Sequence, residues 1–282
     1  MILIADSGST KTQWCIADKG IPIQQLLTTG MNPYFQSPGE IRQEITRSLL
    51  PAIQNHTFQT VWFYGAGCAS PQGNKLMTEN LTALLKAPVE LGSDLMGAAR
   101  ALCGHQPGIA CILGTGSNSC LYDGKTIRQN IPPLGYVLGD EGSGAVLGKL
   151  LVGDCLKNQL PRPLIDKFMQ QYRLTPTLLL ERVYQQPFPN RYLATLSRFL
   201  IENLSEPSLR NLVYNSFRSF FLRNVMQYDG YETLPVHFTG SVAYHYRQVL
   251  REAARSLSID IRQIEPDPMP GLLAYHAQEP TE

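Results

Sequence analysis

The sequence predicts an α/β protein built from two similar domains, and three observations carry that prediction. A three-strand meander opens the chain, and the same meander restarts at Ile109. In both copies the first turn is rich in glycine, serine and threonine. Each meander then gives way to helices alternating with further strands. Two such units imply domains facing each other across a cleft; each turn taken singly could be a tight hairpin that needs glycine, but paired at matching places the two suit a nucleotide in that cleft.

In the first unit, strands are expected at Ile2 to Ala5, Gln13 to Ala17 and Ile23 to Thr28, joined by the loop Asp6-Ser7-Gly8-Ser9-Thr10-Lys11 and the turn Asp18-Lys19-Gly20. Ser37-Pro38-Gly39-Glu40 reads as a capping box, opening a helix whose Ile41, Ile45 and Leu49 share one face. The strand Val61 to Tyr64, a helix from Gln72 to Lys86, the strand Val89 to Leu91 and a helix from Asp94 to Cys103 follow.

The second unit has strands Ile109 to Leu113, Asn118 to Tyr122 and Lys125 to Asn130. A mainly helical insertion runs from about Ser143 to Tyr228. The strand Val236 to Thr239, a helix Val242 to Leu257, the strand Ile259 to Ile264 and a helix from Met269 to His276 close the pattern.

A length of 282 residues suits two domains. With 24 Lys+Arg against 23 Asp+Glu, there is no basic surplus to suggest a nucleic-acid partner. No apolar run approaches the ~20 residues that cross a bilayer, and Met1 to Ala5 reaches Asp6 without a basic segment. The expectation is a cytoplasmic protein with no membrane partner. Its six cysteines are scattered without a CxxC pair, which reads as reduced core thiols.

The chemistry concentrates in a few strings. In the first turn, Gly8 with the hydroxyls of Ser9 and Thr10 can form an anion-binding nest beside Lys11. Asp6 ends an apolar strand, where a carboxylate needs a cation or donors, so it can hold a water on Mg²⁺ or bond its own turn. The second turn, Gly114-Thr115-Gly116-Ser117-Asn118, is no dinucleotide fingerprint, because Ser119 replaces the last glycine and a strand follows. Gly144 to Leu150 has neither the spacing nor the final Ser/Thr of a Walker A loop. In Phe238-Thr239-Gly240-Ser241-Val242, a strand end passes into a helix, where Gly240 permits close approach and Ser241 can donate to an adenosine. Asp94 opens a helix and can serve either as cap or as catalytic carboxylate. Gly139-Asp140-Glu141-Gly142-Ser143 suits sugar hydroxyls, or a helix start capped by Ser143 or Asp140.

Together these strings resemble the actin-like sugar kinases, specifically the BadF/BadG/BcrA/BcrD ATPase family that includes N-acetylglucosamine kinases. The resemblance spans essentially the whole chain. It implies duplicated ribonuclease H-like (actin-like ATPase) domains, each with a mixed five-stranded sheet flanked by helices. The first would comprise residues 1–107 plus 268–282 on the sugar and phosphate side, and the second residues 108–267 on the nucleotide side.

The resemblance further implies ATP and Mg²⁺ as cofactors. Asp6, Gly8, Ser9, Thr10, Lys11, Gly114, Thr115, Gly116, Gly240 and Ser241 would lie on the ATP side, with Asp6 holding Mg²⁺ through water. Asn32, Asp94, Ser117, Asn118, Gly135 and Asp140 would line an amino sugar, with Asp94 taking the proton of its C6 hydroxyl. A homodimer is implied as well. Where related kinases carry Gly-Trp-Gly, this chain has Pro133-Leu134-Gly135, which alters the sugar surface. The cysteine-rich zinc signature of repressor-type sugar kinases is missing. N-acetylglucosamine leads as substrate, ahead of N-acetylmuramic acid and glucosamine. The family's other activity, the iron-sulfur activators of 2-hydroxyacyl-CoA dehydratases and benzoyl-CoA reductases, is the alternative of a different class.

Overall fold

The computed structural model describes the chain except Ser9, Tyr34, Phe35, Ala69, Ser70, residues 278–282 and the side chains of Pro71, Gln72 and Leu76. The chain divides into two compact units. One comprises Met1–Ala110, Tyr122–Arg128 and the segment from Asp267 onward; the other comprises Cys111–Leu121 and Gln129–Pro266.

The first sheet contains β1 (Ile2–Ser7), β2 (Lys11–Asp18), β3 (Ile21–Thr29), β4 (Thr60–Gly65) and β5 (Val89–Ser93), in the order β3-β2-β1-β4-β5. β2 runs antiparallel to both β1 and β3, whereas β1, β4 and β5 are parallel. In this register Ser7, Gly65 and Ser93 form the last row of the three parallel strands. The row matters because open α/β sheets present ligands to the carboxyl ends of their strands.

One face of this sheet carries Leu3, Ala5, Trp14, Ile16, Val61 and Phe63, packed under α1 (Pro38–Glu44), α2 (Leu50–Ile53) and α3 (Pro71–Leu85). Ser37 and Glu40 complete the expected capping box at α1. The four-residue spacing of Ile41, Ile45 and Leu49 does not extend one regular helix, because Ile45–Leu49 form a π-helical turn between α1 and α2. Pro51, just beyond that turn, has no N–H to give the preceding helix.

The opposite face, with Ile4, Cys15, Ala17 and Tyr64, is covered by α4 (Asp94–Cys103) and by α14 (Met269–Ala277), the last helix described. α14 is seated by side chains as well as by area. Trp62 stacks on His276 at 4.2 Å, and Arg100 donates to the Tyr64 hydroxyl at 2.7 Å. That hydroxyl is itself hydrogen-bonded to His276 Nε2 at 2.8 Å.

The second sheet has β6 (Pro107–Leu113), β7 (Ser117–Asp123), β8 (Ile127–Gln129), β9 (Val236–Thr239) and β10 (Ile261–Glu265). Its order, β10-β9-β6-β7-β8, repeats that of the first sheet strand for strand. β8 is shorter than the sequence suggests, since Asp123 Oδ1 accepts the Lys125 and Thr126 amides and keeps those residues in the turn.

Between β8 and β9 come α5 (Gly135–Leu138), which the sequence did not signal, then α6 (Gly144–Leu156), α7 (Arg162–Tyr172), α8 (Pro176–Tyr184), α9 (Pro189–Leu196), α10 (Arg198–Glu202), α11 (Pro207–Arg223) and a 3₁₀ turn at Val225–Gln227. The helix expected from Val242 to Leu257 is two, α12 (Ser241–His245) and α13 (Arg247–Arg255), which meet at Tyr246. The Tyr246 hydroxyl reaches back to the Ser197 carbonyl, fixing that joint.

Candidate active site

In the first unit, the turn after β1 is closed by the Gly8 amide donating to the Lys11 carbonyl at 3.0 Å. It is tied down from below. Ser7 Oγ lies 2.6 Å from Thr12 Oγ1, donates to the Met31 carbonyl and accepts the Met31 amide, and the Gly30 amide donates to the Thr10 carbonyl. The next residue, Asn32, is buried and sits against Gly67, where an added Cβ would lie 2.1 Å from its Oδ1. Thr10 and Lys11 stay exposed, and Ser9 lies outside the described residues.

Gly8 is not in the left-handed region, and an added Cβ would meet only ordinary contact. The hairpin therefore does not need glycine for its own geometry. The open approach to that backbone remains.

Asp6 points to the face covered by α4 and α14, like Ile4 two residues earlier. There it shares its surroundings with Asp94 and Asp267. Burial first, then those two carboxylates, push the Asp6 carboxyl up to about 7, with Lys11 pulling the other way.

Asp94 is the first residue of α4, one step beyond the end-row residue Ser93. Capping is done by Ser93, whose Oγ accepts the Met96 amide at 3.1 Å. Asp94 accepts the Leu95 amide through Oδ1 at 2.9 Å and is not the N-cap. Burial raises its carboxyl above the ordinary range against the pull of that amide. Asp267 was missed by sequence reasoning. Its only local signal is a position just ahead of α14, where Oδ1 accepts the Met269 amide at 3.0 Å.

The folded pKa values of Asp6 (about 7) and, in the second unit, Asp140 (about 6) exceed the ordinary 3.8. Between the ordinary and raised values the folded chain binds more protons than the unfolded one, so stability falls as pH rises through this window. In chelator, the melting temperature should drop by a few degrees from pH 5.5 to pH 8, and Asp6→Asn should flatten that slope. An unchanged slope in the variant would show that Asp6 is not the group responsible.

In the second unit, the turn Gly114 to Ser117 is closed by the Gly114 amide donating to the Gly116 carbonyl at 2.9 Å. The start of α6 holds it in place, as the Gly144 amide donates to the Gly114 carbonyl and the Ala145 amide to that of Thr115. Ser143 caps α6, accepting the Val146 amide, so Asp140 is free of that duty. An added Cβ at Gly114 would meet nothing within 4 Å, and its φ is not positive. This is a cradle that the protein leaves open above backbone amides, which suits an anionic group.

Asp140 stands beside the turn: its Oδ2 would lie 3.1 Å from a Cβ on Gly116, and it accepts the Ser117 amide. Burial drives its carboxyl up to about 6, opposed by that amide and by Lys149. Ser117 is itself buried, while Asn118 Oδ1 accepts the Ser119 amide and the Asn130 side chain. Gly135 is exposed with φ 73°, and Leu134, Asp140 and Gly142 also have positive φ. Such a density of left-handed residues is sustained only by surrounding structure. The Asp140 amide donates to Pro133, the Gly139 amide to Gly135, and Lys149 Nζ to the Tyr136 carbonyl at 2.6 Å.

Gly240 has a structural reason to be glycine. Its φ is 109°, and an added Cβ would lie 2.4 Å from the Leu113 carbonyl oxygen of β6. The close approach it permits is that of its own neighbouring strand. That contact places Gly240 at the foot of the Gly114 turn, with Ser241 exposed beside it.

Asp6, Thr10, Lys11, Asn32 and Asp94 thus gather in the first unit, and Gly114, Thr115, Gly116, Ser117, Asp140 and Gly240 in the second. The acceptors on offer are carboxylate and hydroxyl oxygens, which suit a hard cation. Among the described residues no three His, Cys, Asp or Glu side chains are grouped to hold a metal ion by themselves. A magnesium ion fits Asp6 as one carboxylate completed by water and phosphate oxygens.

Two units of one strand order, each with an amide-rich turn after its first strand, define the duplicated ribonuclease H-like fold of actin-like ATPases. No family model matches the chain, and no curated protein does. Solved structures do. A candidate N-acetylglucosamine kinase from Porphyromonas gingivalis is 48% identical, with 99% of each chain covered and a TM-score of 0.96. A candidate N-acetylglucosamine kinase from Chromobacterium violaceum is 20% identical over 97% of this chain and 98% of its own, with a TM-score of 0.68. A ROK family glucokinase from Streptomyces griseus, solved with glucose and AMPPNP, shares the fold at 14% identity, 97% coverage of both chains and a TM-score of 0.57. The chain belongs to the family of the Porphyromonas protein, the N-acetylglucosamine-kinase-like branch of the actin-like sugar kinases.

Proposed function

We propose that this protein phosphorylates an amino sugar with ATP, that the substrate is N-acetylglucosamine, and that the C6 hydroxyl is the acceptor. The observation that carries the reading is Asp94, a carboxylate one residue beyond the end row of the parallel strands, where Ser93 is the N-cap. Family membership at 48% identity supports the reaction class.

Phosphoryl transfer passes through a loose transition state, so positioning and charge neutralisation do most of the work. Asp6 would hold magnesium through water, and the ion would supply charge neutralisation at the phosphates. The amides of the two turns would bind phosphate oxygens, with Thr10, Lys11 and Thr115 beside them. Asp140, Asn118 and Asn32 would hold sugar hydroxyls. A sugar hydroxyl is too weak an acid to be ionised in advance, so Asp94 orients it and accepts its proton late in the transfer. Its raised pKa matches it to that task.

All six cysteines are buried within their units, and burial pushes the thiols of Cys68, Cys103 and Cys155 up to about 12. That placement speaks for core packing over a cluster bridged between subunits. We place the protein in the cytoplasm; no described helix is long and apolar enough to cross a membrane.

A coupled ADP-release assay over N-acetylglucosamine, glucosamine and N-acetylmuramic acid tests the reading. Sugar-dependent ADP release is expected, fastest with N-acetylglucosamine. No release with any of the three would overturn it, and a faster rate with another sugar would reassign the substrate.

A further inference from the structure

The helical insertion holds a cavity of about 290 Å³ between the end of α7, α8 and α9. It is lined by Tyr172, Arg173, Leu178, Arg182, Tyr192 and Leu196, among others. Its polar chemistry is one-sided, since two guanidiniums, two phenols and the Thr195 hydroxyl, which donates to the Tyr192 carbonyl, line it and no acid does.

Seven buried side-chain polar atoms among the described residues have no hydrogen-bond partner, and two of them, the hydroxyls of Tyr172 and Tyr192, belong to this cavity. The Phe199 backbone reaches the oxygen of the Tyr172 hydroxyl, but that hydroxyl has no acceptor for its own proton. Glu202, whose charge reaches Tyr172, is already engaged by Arg198 and Gln171. Neither Arg173 nor Arg182 forms an ion pair among the described residues. The Arg182 guanidinium lies 5.7 Å from the centre of the Tyr192 ring, which holds it at the cavity.

Buried polar groups are normally paired, and orphans grouped at one cavity call for a common partner. A lining that offers donors calls for a ligand that offers acceptors. Guanidinium forks match the oxygens of phosphate, and phenol hydroxyls can complete the set. We propose that this cavity is a binding site for a small phosphate-bearing metabolite, separate from the residues assigned to sugar and ATP. The inference does not depend on which sugar the protein phosphorylates.

Titration calorimetry on the full chain, with inorganic phosphate and then glucose 6-phosphate as probes, tests it. Saturable binding is expected, weakened about tenfold or more in the double variant Arg173→Gln/Arg182→Gln. Both arginines are exposed, so folding should survive. Stronger binding of glucose 6-phosphate would identify a sugar phosphate as the ligand, and equal binding would identify the phosphate group alone as what is recognised. Absence of saturable heat, or the same affinity in the double variant, would overturn the proposal, because the phosphate would then sit elsewhere. A second pair, Tyr172→Phe/Tyr192→Phe, should melt no lower than wild type without phosphate, yet bind the probes more weakly. Lower melting in that pair would show hydroxyls already bonded within the protein, and would count against the site.

Discussion

Asp94→Asn should lower turnover by roughly 10²-fold or more, the scale of positioned acid-base catalysis, while sugar binding changes little. The amide keeps the shape of the carboxylate and can still accept the Leu95 amide through its oxygen. What it cannot do is take a proton. Because Ser93 alone caps α4, the helix should be undamaged, so a matched melting temperature separates chemistry from folding. The measurement pairs kcat from ADP release with the affinity for N-acetylglucosamine by calorimetry. Unchanged kcat would remove Asp94 from the mechanism, and a large loss of sugar affinity would make it a binding group.

Gly240→Ala should be the most damaging small substitution near the second turn, costing about 2 kcal/mol or more. Two independent faults add up. The backbone is left-handed at φ 109°, and the new methyl would press on the Leu113 carbonyl oxygen at 2.4 Å and its carbon at 2.9 Å. Neither is a flexible side chain that could step aside. The loss should therefore appear in ligand-free protein, as a lower midpoint in urea. If only ATP affinity fell, Gly240 would be a nucleotide contact and not a strand-packing glycine.

That contrast shows where sequence reading succeeds and where it stops. The repeated meander was legible because period-two patterning and turn residues are local signals. Asp94 was legible as a residue but not in its role, since a serine and an aspartate side by side both suit a helix start and only coordinates assign the cap. The demands on the glycines were not legible: Gly8 needs no unusual backbone, and Gly240 makes room for Leu113. α5 escaped notice because one turn is too short for periodicity, and its exposed Leu134, Val137 and Leu138 give no buried stripe. Asp267 escaped because its neighbours Asp6 and Asp94 come from remote parts of the chain.

The seating of α14 has a consequence for how the molecule comes into being. β1 and α14, which with α4 covers Ile4, Cys15, Ala17 and Tyr64, are separated in the chain by the second unit, so α14 arrives only after that unit has been translated. Until then α4 alone covers that face, and Asp6 lacks one of its two acidic neighbours. The nascent first unit is thus an unfinished body, a natural client for chaperones, and the surroundings of Asp6 are completed only after the second unit has been made.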